Sequence, residues 1–540
     1  MSGMKLDFFN KLPYFAISVF AGWAILTGSC IRSANAQVFP LTVSSDNRRL
    51  VDQNNQTFLI NGDVAGGLMV SLTKEKVEIY LENRRRKGMN AMLLDLLVTY
   101  WAGPANVYGD KPFTTPNDFS TPNDAYFDHI AWVVAKAEEK GILVVLTPCY
   151  LGFLCGEQGW CQQMVANGPE KCRAYGRYIG KRFSEFKNIM WMHGGDAEAG
   201  EAIEELRAIV EGIKEADRTS LHTAHCGRHH SALDCYDEPW LDVNTTYSDC
   251  DSAASETFED YNRQRIMPFF FAEGTYEGEA ASEECLRSQA YWSILGGSIG
   301  HFLGNNPLIF FGDGWEEAME SAGAQSMMHM GALFRSRAWS LLEPDYSHES
   351  ILSGFGNPDN SNYVGAARTS DGKTIIAYMP AKRKLNVDLT RISGAQAKAW
   401  WFNPGTGVAT LIGNFPAAGE MEFTPGASGD WVLVIDDADA GLPPPGSSDE
   451  PMPGEFELDQ NYPNPFNSRT TLSYALAESA FVSLKVFDVS GAEITSLVEE
   501  TQPAGYHSIS FDATNLSSGI YFYQLRVDGQ VFTKKMLLFK

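Results

Sequence analysis

Apolar and polar positions divide this chain into two textures. Between residues 58 and 302, short apolar runs alternate with longer stretches whose apolar residues recur every three or four positions. The runs predict strands at 58–62, 92–98, 142–146, 188–194, 221–225, 241–245, 268–273 and 298–302. Helical periodicity fills the gaps. Val77, Tyr80 and Leu81 share a face over 72–87, and Phe127, Ile130, Ala131, Val134 and Ala137 share another. A helix is expected near 173–186, and one more carries Ile203, Leu206, Val210 and Ile213. Thr121-Pro122 could open the second of these helices, and Gly141 stops it. Eight strands alternating with helices predict an α/β chain whose residues 37–344 form a (β/α)8 TIM barrel. The glycine-rich turn of a doubly wound dinucleotide-binding sheet is not in the sequence.

Past Pro344 the period shortens to that of strands, at 363–367, 374–378, 399–402 and 431–435, with Ser370-Asp-Gly and Asn403-Pro-Gly as turns. Residues 345–437 therefore read as a β-sandwich, 438–455 as a Pro- and Gly-rich linker, and 456–540 as a second, Ig-like sandwich. At the other end, Lys5 and Lys11 flank a short apolar run ahead of Ala34-Asn-Ala36, the pattern of an export signal over residues 1–36. No membrane span is expected in the mature form.

Composition sharpens this picture. A 44% hydrophobic chain of 540 residues can build several cores, and a formal net charge of −25 argues against nucleic acid as a partner. Of nine cysteines, all but Cys30 fall between Cys149 and Cys285. An even number in an exported chain suggests disulfides that staple barrel loops, with connectivity left open.

The candidate chemistry sits where strands end. The fourth run stops on Gly194-Gly195-Asp196 and the seventh on Glu273. Parallel barrels build their sites at the carboxyl ends of their strands, and glycosidic cleavage needs two facing carboxyl groups. By analogy with other barrels Asp196 is the acid/base and Glu273 the nucleophile, with retention of configuration. Glu277 or Glu198 could take either place, and the pair could instead be structural. Asp63, Asp95, Tyr100, Trp101, His225, Asn244, Tyr276 and His301 lie at or near strand ends, as subsite walls or as packing. His222, His225, Cys226, His229 and His230 form a dense cluster that could hold zinc, although Cys226 is expected to pair. No metal or cofactor is expected. Trp400-Trp401 could bind glycan or serve a core.

Specific motifs reach a known family. Gly62-Asp63, Tyr126-Phe-Asp-His129, Trp191 through Asp196, Asp237-Glu-Pro-Trp-Leu-Asp242, Glu273 with Tyr276-Glu277, Gly300-His301, Gly304-Asn305 and Ser336-Arg-Ala-Trp339 are the residues concerned. With them the chain resembles the apiosidase-like glycoside hydrolases, whose barrel is followed by a domain named for collagen binding. The resemblance implies exo-acting removal of a sugar from pectic polysaccharide, with Asp196 and Glu273 on the family's catalytic positions. It favours Asp63, Tyr276 and His301 for the substrate, beside Tyr100, Trp101, His193, His225 and Glu277. The chain departs from the family at Val64-Ala65-Gly66, His193 and Gly274-Thr275, positions that bear on which sugar is held. A non-catalytic glycan- or collagen-binding protein with a degenerate barrel is the alternative. The last domain resembles the sorting domain of type IX secretion through Asn461-Tyr-Pro-Asn-Pro-Phe466, Val486-Phe-Asp-Val-Ser-Gly491 and Leu516-Ser-Ser-Gly-Ile-Tyr521. That implies the type IX machinery as a partner, in addition to a poly- or oligosaccharide substrate.

Overall fold

The computed structural model describes residues 38–98, 105–279, 281–447, 456–477, 479–502 and 505–540. The expected export signal, Tyr100, Trp101 and residues 448–455 of the linker lie outside them. Eight strands form the barrel: β1 (Ile60–Val64), β2 (Ala91–Asp95), β3 (Leu143–Thr147), β4 (Ile189–Gly194), β5 (Leu221–His225), β6 (Asn244–Tyr247), β7 (Phe269–Glu273) and β8 (Gly300–Leu303). Strands β5 to β1, then β8, β7 and β6, pair in parallel in that order. The short strand His230–Ser231 adds antiparallel to β6.

No continuous ladder joins β5 to β6. Single bonds close the seam instead: Val243 N donates to His222 O at 3.2 Å. The Thr223 and Thr245 hydroxyls donate to Val243 O at 2.8 Å and Ala224 O at 2.6 Å. Buried backbone carbonyls that lack a ladder partner are thereby satisfied by side chains.

Helices α1 (Lys74–Arg86), α2 (Asp124–Glu139), α3 (Cys161–Phe183), α4 (Ile203–Ala216), α5 (Ala253–Tyr261), α6 (Glu283–Leu295) and α7 (Ala322–Arg335) surround the strands. Glu75 opens α1 and Arg84, Arg85 and Arg86 close it, charges that complement the helix dipole. The cap of α2 is Asn123, one residue past the expected Thr121-Pro122, and its side chain accepts from Ala125 N. Helix α3 begins well before the expected 173, because Gly168 (φ 73°) and Pro169 interrupt it and hide its first half from a periodicity reading.

Period-two alternation sorts the strand side chains into two cores. Ile60, Val64, Leu93, Val145, Met190, Met192, Phe270, Ala272 and Phe302 fill the barrel interior. Their alternates, such as Leu94, Val144 and Trp191, pack outward against helices. On one side the outer layer is shared with the next domain. Tyr291 and Trp292 of α6 form one core with Ile376, Tyr378, Trp400 and Val434. Trp400 is thus committed to packing between domains. That domain has a six-stranded and a three-stranded sheet around a core of its own. Two buried ion pairs tie it to the barrel: Arg287 Nε to Asp430 at 2.7 Å and Arg337 Nη2 to Asp436 at 2.8 Å. The C-terminal domain has sheets of three and four strands. It meets the barrel through Arg86 with Asp459 and Trp315 with Tyr462.

Three disulfides form, Cys155–Cys161, Cys226–Cys235 and Cys250–Cys285. Cys149 and Cys172 remain buried thiols. An even count therefore did not mean that every cysteine pairs. Both lie in the apolar layer that β3 and α3 share, where a thiol packs as a small hydrophobe.

Candidate active site

Adjacent parallel strands in this register bring their ends to one rim. Asp95 pairs with Thr147, Gly194 with His225, and Tyr247 with Glu273. These residues, with Asp196, Tyr150 and Tyr276, line a cavity of about 550 Å³ at the carboxyl mouth, in the size range of small-molecule sites.

Two local features aim the carboxyl groups. After Met192, Gly194 (φ 94°) turns the chain sharply, and a Cβ there would stand 2.2 Å from the His225 carbonyl oxygen. Asp196 follows at the lip. Glu273 reaches the cavity by a different device. Phe270 and Ala272 point inward, so simple alternation would send Glu273 outward. The β6–β7 register slips between Phe271 and Glu273, a bulge that turns Glu273 into the mouth.

His225 lies between the two. Its Nε2 is 2.8 Å from Glu273 Oε2 and its Nδ1 is 3.7 Å from Asp196 Oδ1. Burial works against the imidazolium, but the contact with Glu273, its charge and that of Asp196 raise the pKa to about 9. Burial first, then the Glu273 charge, raises the Asp196 carboxyl, while His225 and the Tyr150 hydrogen bond oppose the shift. The Tyr150 hydroxyl donates to Asp196 Oδ2 at 2.8 Å. Asp95 is a third carboxyl in the wall. Burial pushes it up to about 7, against a hydrogen bond from Thr147 and the charge of His225. One oxygen of Asp196, one nitrogen of His225 and one oxygen of Glu273 lie within 4.8 Å of one another. Such a set can share protons, and it could also hold a divalent cation.

The expected substrate residues separate by strand face. His225 and Tyr276 line the cavity. Asp63, His193 and His301 occupy outward positions of β1, β4 and β8. Asp63 is fully buried, bonded to Arg84 Nε at 2.7 Å and to the Tyr80 hydroxyl at 2.5 Å. His193 Nε2 lies 2.9 Å from His222 Nδ1, with Trp240 edge-on. His301 stacks on Phe271 and is fully buried. Glu277 also turns away, accepting from Asn305 Nδ2, the Ser321 hydroxyl and Gly323 N at 2.6–2.9 Å, where it fastens the start of α7. The histidine cluster disperses as well. Cys226 is in a disulfide, His222 faces the helices, and His229 meets Glu256 at 2.7 Å.

Tyr150, Phe153, Arg228 and Tyr247 also form the wall, although no strand-end pattern marks them. Tyr247 escaped because strand six begins three residues later than its apolar run. The others are loop residues whose only sequence signal is that cysteines bracket their loops.

Fold and site together define a glycoside hydrolase. Residues 44–340 match the family described as "Apiosidase-like, catalytic domain". The chain belongs to the apiosidase-like family. Residues 348–436 match "Putative collagen-binding domain of a collagenase", and 460–538 match "Secretion system C-terminal sorting domain". The last match makes the protein secreted or displayed at the cell surface. No individually curated protein matches the chain. A solved structure titled "Glycoside hydrolase" is 24% identical with a TM-score of 0.65, covering 74% of this chain and 97% of its own. A glycoside hydrolase family 5 structure from Bacteroides vulgatus ATCC 8482 is 22% identical with a TM-score of 0.67, covering 75% and 96%. Both share the fold.

Proposed function

We propose that the protein removes a terminal sugar from pectic side chains with retention of configuration, Glu273 acting as nucleophile and Asp196 as acid/base. The observation that supports this most is the close approach of Asp196 and Glu273, whose oxygens come within 4.8 Å of each other. Carboxyl groups about 5–5.5 Å apart suit direct attack on the anomeric carbon, whereas inversion needs about 6.5–9.5 Å to admit water.

In the first step a Glu273 oxygen bonds to the anomeric carbon as the glycosidic bond breaks, and Asp196 gives its proton to the departing oxygen. In the second, Asp196 takes a proton from water, whose oxygen displaces Glu273 and frees the sugar. Burial, with the Glu273 charge, shifts Asp196 towards the protonated form that the first step needs. His225 Nε2 lies 2.8 Å from Glu273 Oε2 and fixes the orientation of the attacking group. Tyr150 donates to Asp196 Oδ2 and so orients the acid/base carboxyl.

Digestion of pectic side-chain oligosaccharides, followed by chromatography and by NMR of the anomer first released, tests the reading. A single terminal sugar of retained configuration is expected. Its kcat/KM should fall as pH rises through the raised Asp196 pKa, and Asp196→Asn should remove that limb. Release of the inverted anomer would take the nucleophile role from Glu273. The clustering of Asp196, His225 and Glu273 also permits a second reading, metal-assisted hydrolysis, which predicts that EDTA abolishes turnover.

A further inference from the structure

The loop between β3 and α3 carries a feature that this chemistry leaves unused. Phe153 lines the cavity yet is 60% exposed, and Leu154 beside it is 73% exposed. Its ring pairs with no other aromatic among the described residues. Burial in a core does not account for a large aromatic held at the lip of a cavity.

The loop that presents it is built to stay in place. Its flanks meet where Trp160 N donates to Tyr150 O at 2.8 Å. Gly152 (φ 91°) and Gly159 pass so closely that a Cβ on Gly152 would lie 2.8 Å from Gly159 N. Leu154 and Cys155 both adopt the left-handed backbone region, with φ of 52° and 56°. Side chains other than glycine rarely occupy that region, and such strain persists only where surroundings impose it. The Cys155–Cys161 disulfide ties the loop to the first residue of α3.

The loop is also fastened to the acid/base itself. Leu151 N donates to Gly194 O at 3.1 Å and Leu154 N to Asp196 O at 3.4 Å. Tyr150, at its start, holds the Asp196 carboxyl. A glycosidase acid stands beside the departing oxygen, so the wall next to Asp196 faces the departing group rather than the sugar that becomes attached. Phe153 belongs to that wall.

We infer that Phe153 is the platform on which the departing sugar ring stacks, so that the protein selects bonds between two sugar rings over bonds to small aglycones. This rests on the reading of Asp196 as acid/base. The C–H face of a pyranose is apolar and matches an exposed aromatic face, while its hydroxyls can remain in water at an open lip. Gln158, on the same loop, also lines the cavity. Phe153 acts on binding and specificity. It has no group that could join the proton transfers.

The test compares two probes: the pectic side-chain oligosaccharide that the wild type shortens, and the glycosyl fluoride of the same terminal sugar, whose leaving group has no ring. Phe153→Ala should lower kcat/KM on the oligosaccharide about tenfold, chiefly through KM, and leave the fluoride within about twofold. Phe153→Trp should restore the oligosaccharide. The double variant Cys155→Ser/Cys161→Ser should show the same split by freeing the loop. Equal loss on both probes, or no loss on either, would overturn the inference. A wild type that shortens no pectic side-chain oligosaccharide and cleaves no glycosyl fluoride would instead remove the assignment of Asp196 and Glu273, a result distinguishable from either.

Discussion

Two sets of polar side chains lie on opposite faces of the barrel wall, and they do different work. The inward set, Asp95, Asp196, His225 and Glu273, surrounds the cavity with three carboxyl groups and one imidazole. The outward set, Asp63, His193, His222 and His301, lies among the helices. There Asp63 is matched to Arg84 and His193 to His222, while His301 stacks on Phe271. The inward set is electrostatically frustrated: burial and mutual repulsion raise Asp95 and Asp196. In the outward set burial raises Asp63 too, but Arg84 and Tyr80 oppose that shift, and burial holds the histidines neutral, with His222 and His301 lowered to about 3. Crowded carboxyl groups at a solvent-accessible hollow support the proposed site there, whereas paired groups behind the strands suit an architectural role.

Substitutions can break this contrast. The largest effect is expected for Glu273→Gln, which should cut kcat by about 10⁴-fold, or ~5 kcal/mol in the barrier, while the melting temperature holds or rises. Turnover equal to the wild type would place Glu273 with the structural set. Next, Asp63→Asn should destabilise the barrel by about 3–5 kcal/mol in urea titration, because Arg84 is left charged and buried without its partner. A raised KM with an unchanged midpoint would instead bring Asp63 into the substrate site.

Asp95→Asn should act in the opposite direction. A carboxyl held at about 7 when folded, against about 4 unfolded, carries a penalty that is absent below pH 4, grows as pH rises and is complete above pH 7. Its removal should therefore stabilise the protein at pH 8 by about 2–4 kcal/mol and change little at pH 4. Equal midpoints at pH 8 would show that Asp95 is not under strain. The smallest effect is expected for His193→Phe, a loss of about 1 kcal/mol from the broken pair with His222. Since His193 stays neutral when folded, that loss should not vary between pH 7.5 and 9. A pronounced slope there would mean that the pair is charged.

Much of this was legible without coordinates. The positions of all eight strands, and of Asp196, Glu273, His225 and Tyr276 at or just past strand ends, follow from apolar runs that stop on polar residues. Asp95 is a strand-end carboxylate in the sequence too, but the family motifs run through Asp63 and His301 instead. Those two, and His193, failed on parity: on a strand, a shift of one position exchanges cavity for helix layer. Glu273 shows the converse. Counted by twos from Phe271 it belongs outside, and only the bulge brings it in.

Local periodicity and punctuation were enough to fix which segments become strands and helices and which acidic residues stand at strand ends. The tertiary structure alone decided which of those residues share a hollow, because that depends on strand register, on a bulge, and on how far burial and neighbouring charge shift each proton. These are properties of residues far apart in the chain, and no local pattern records them.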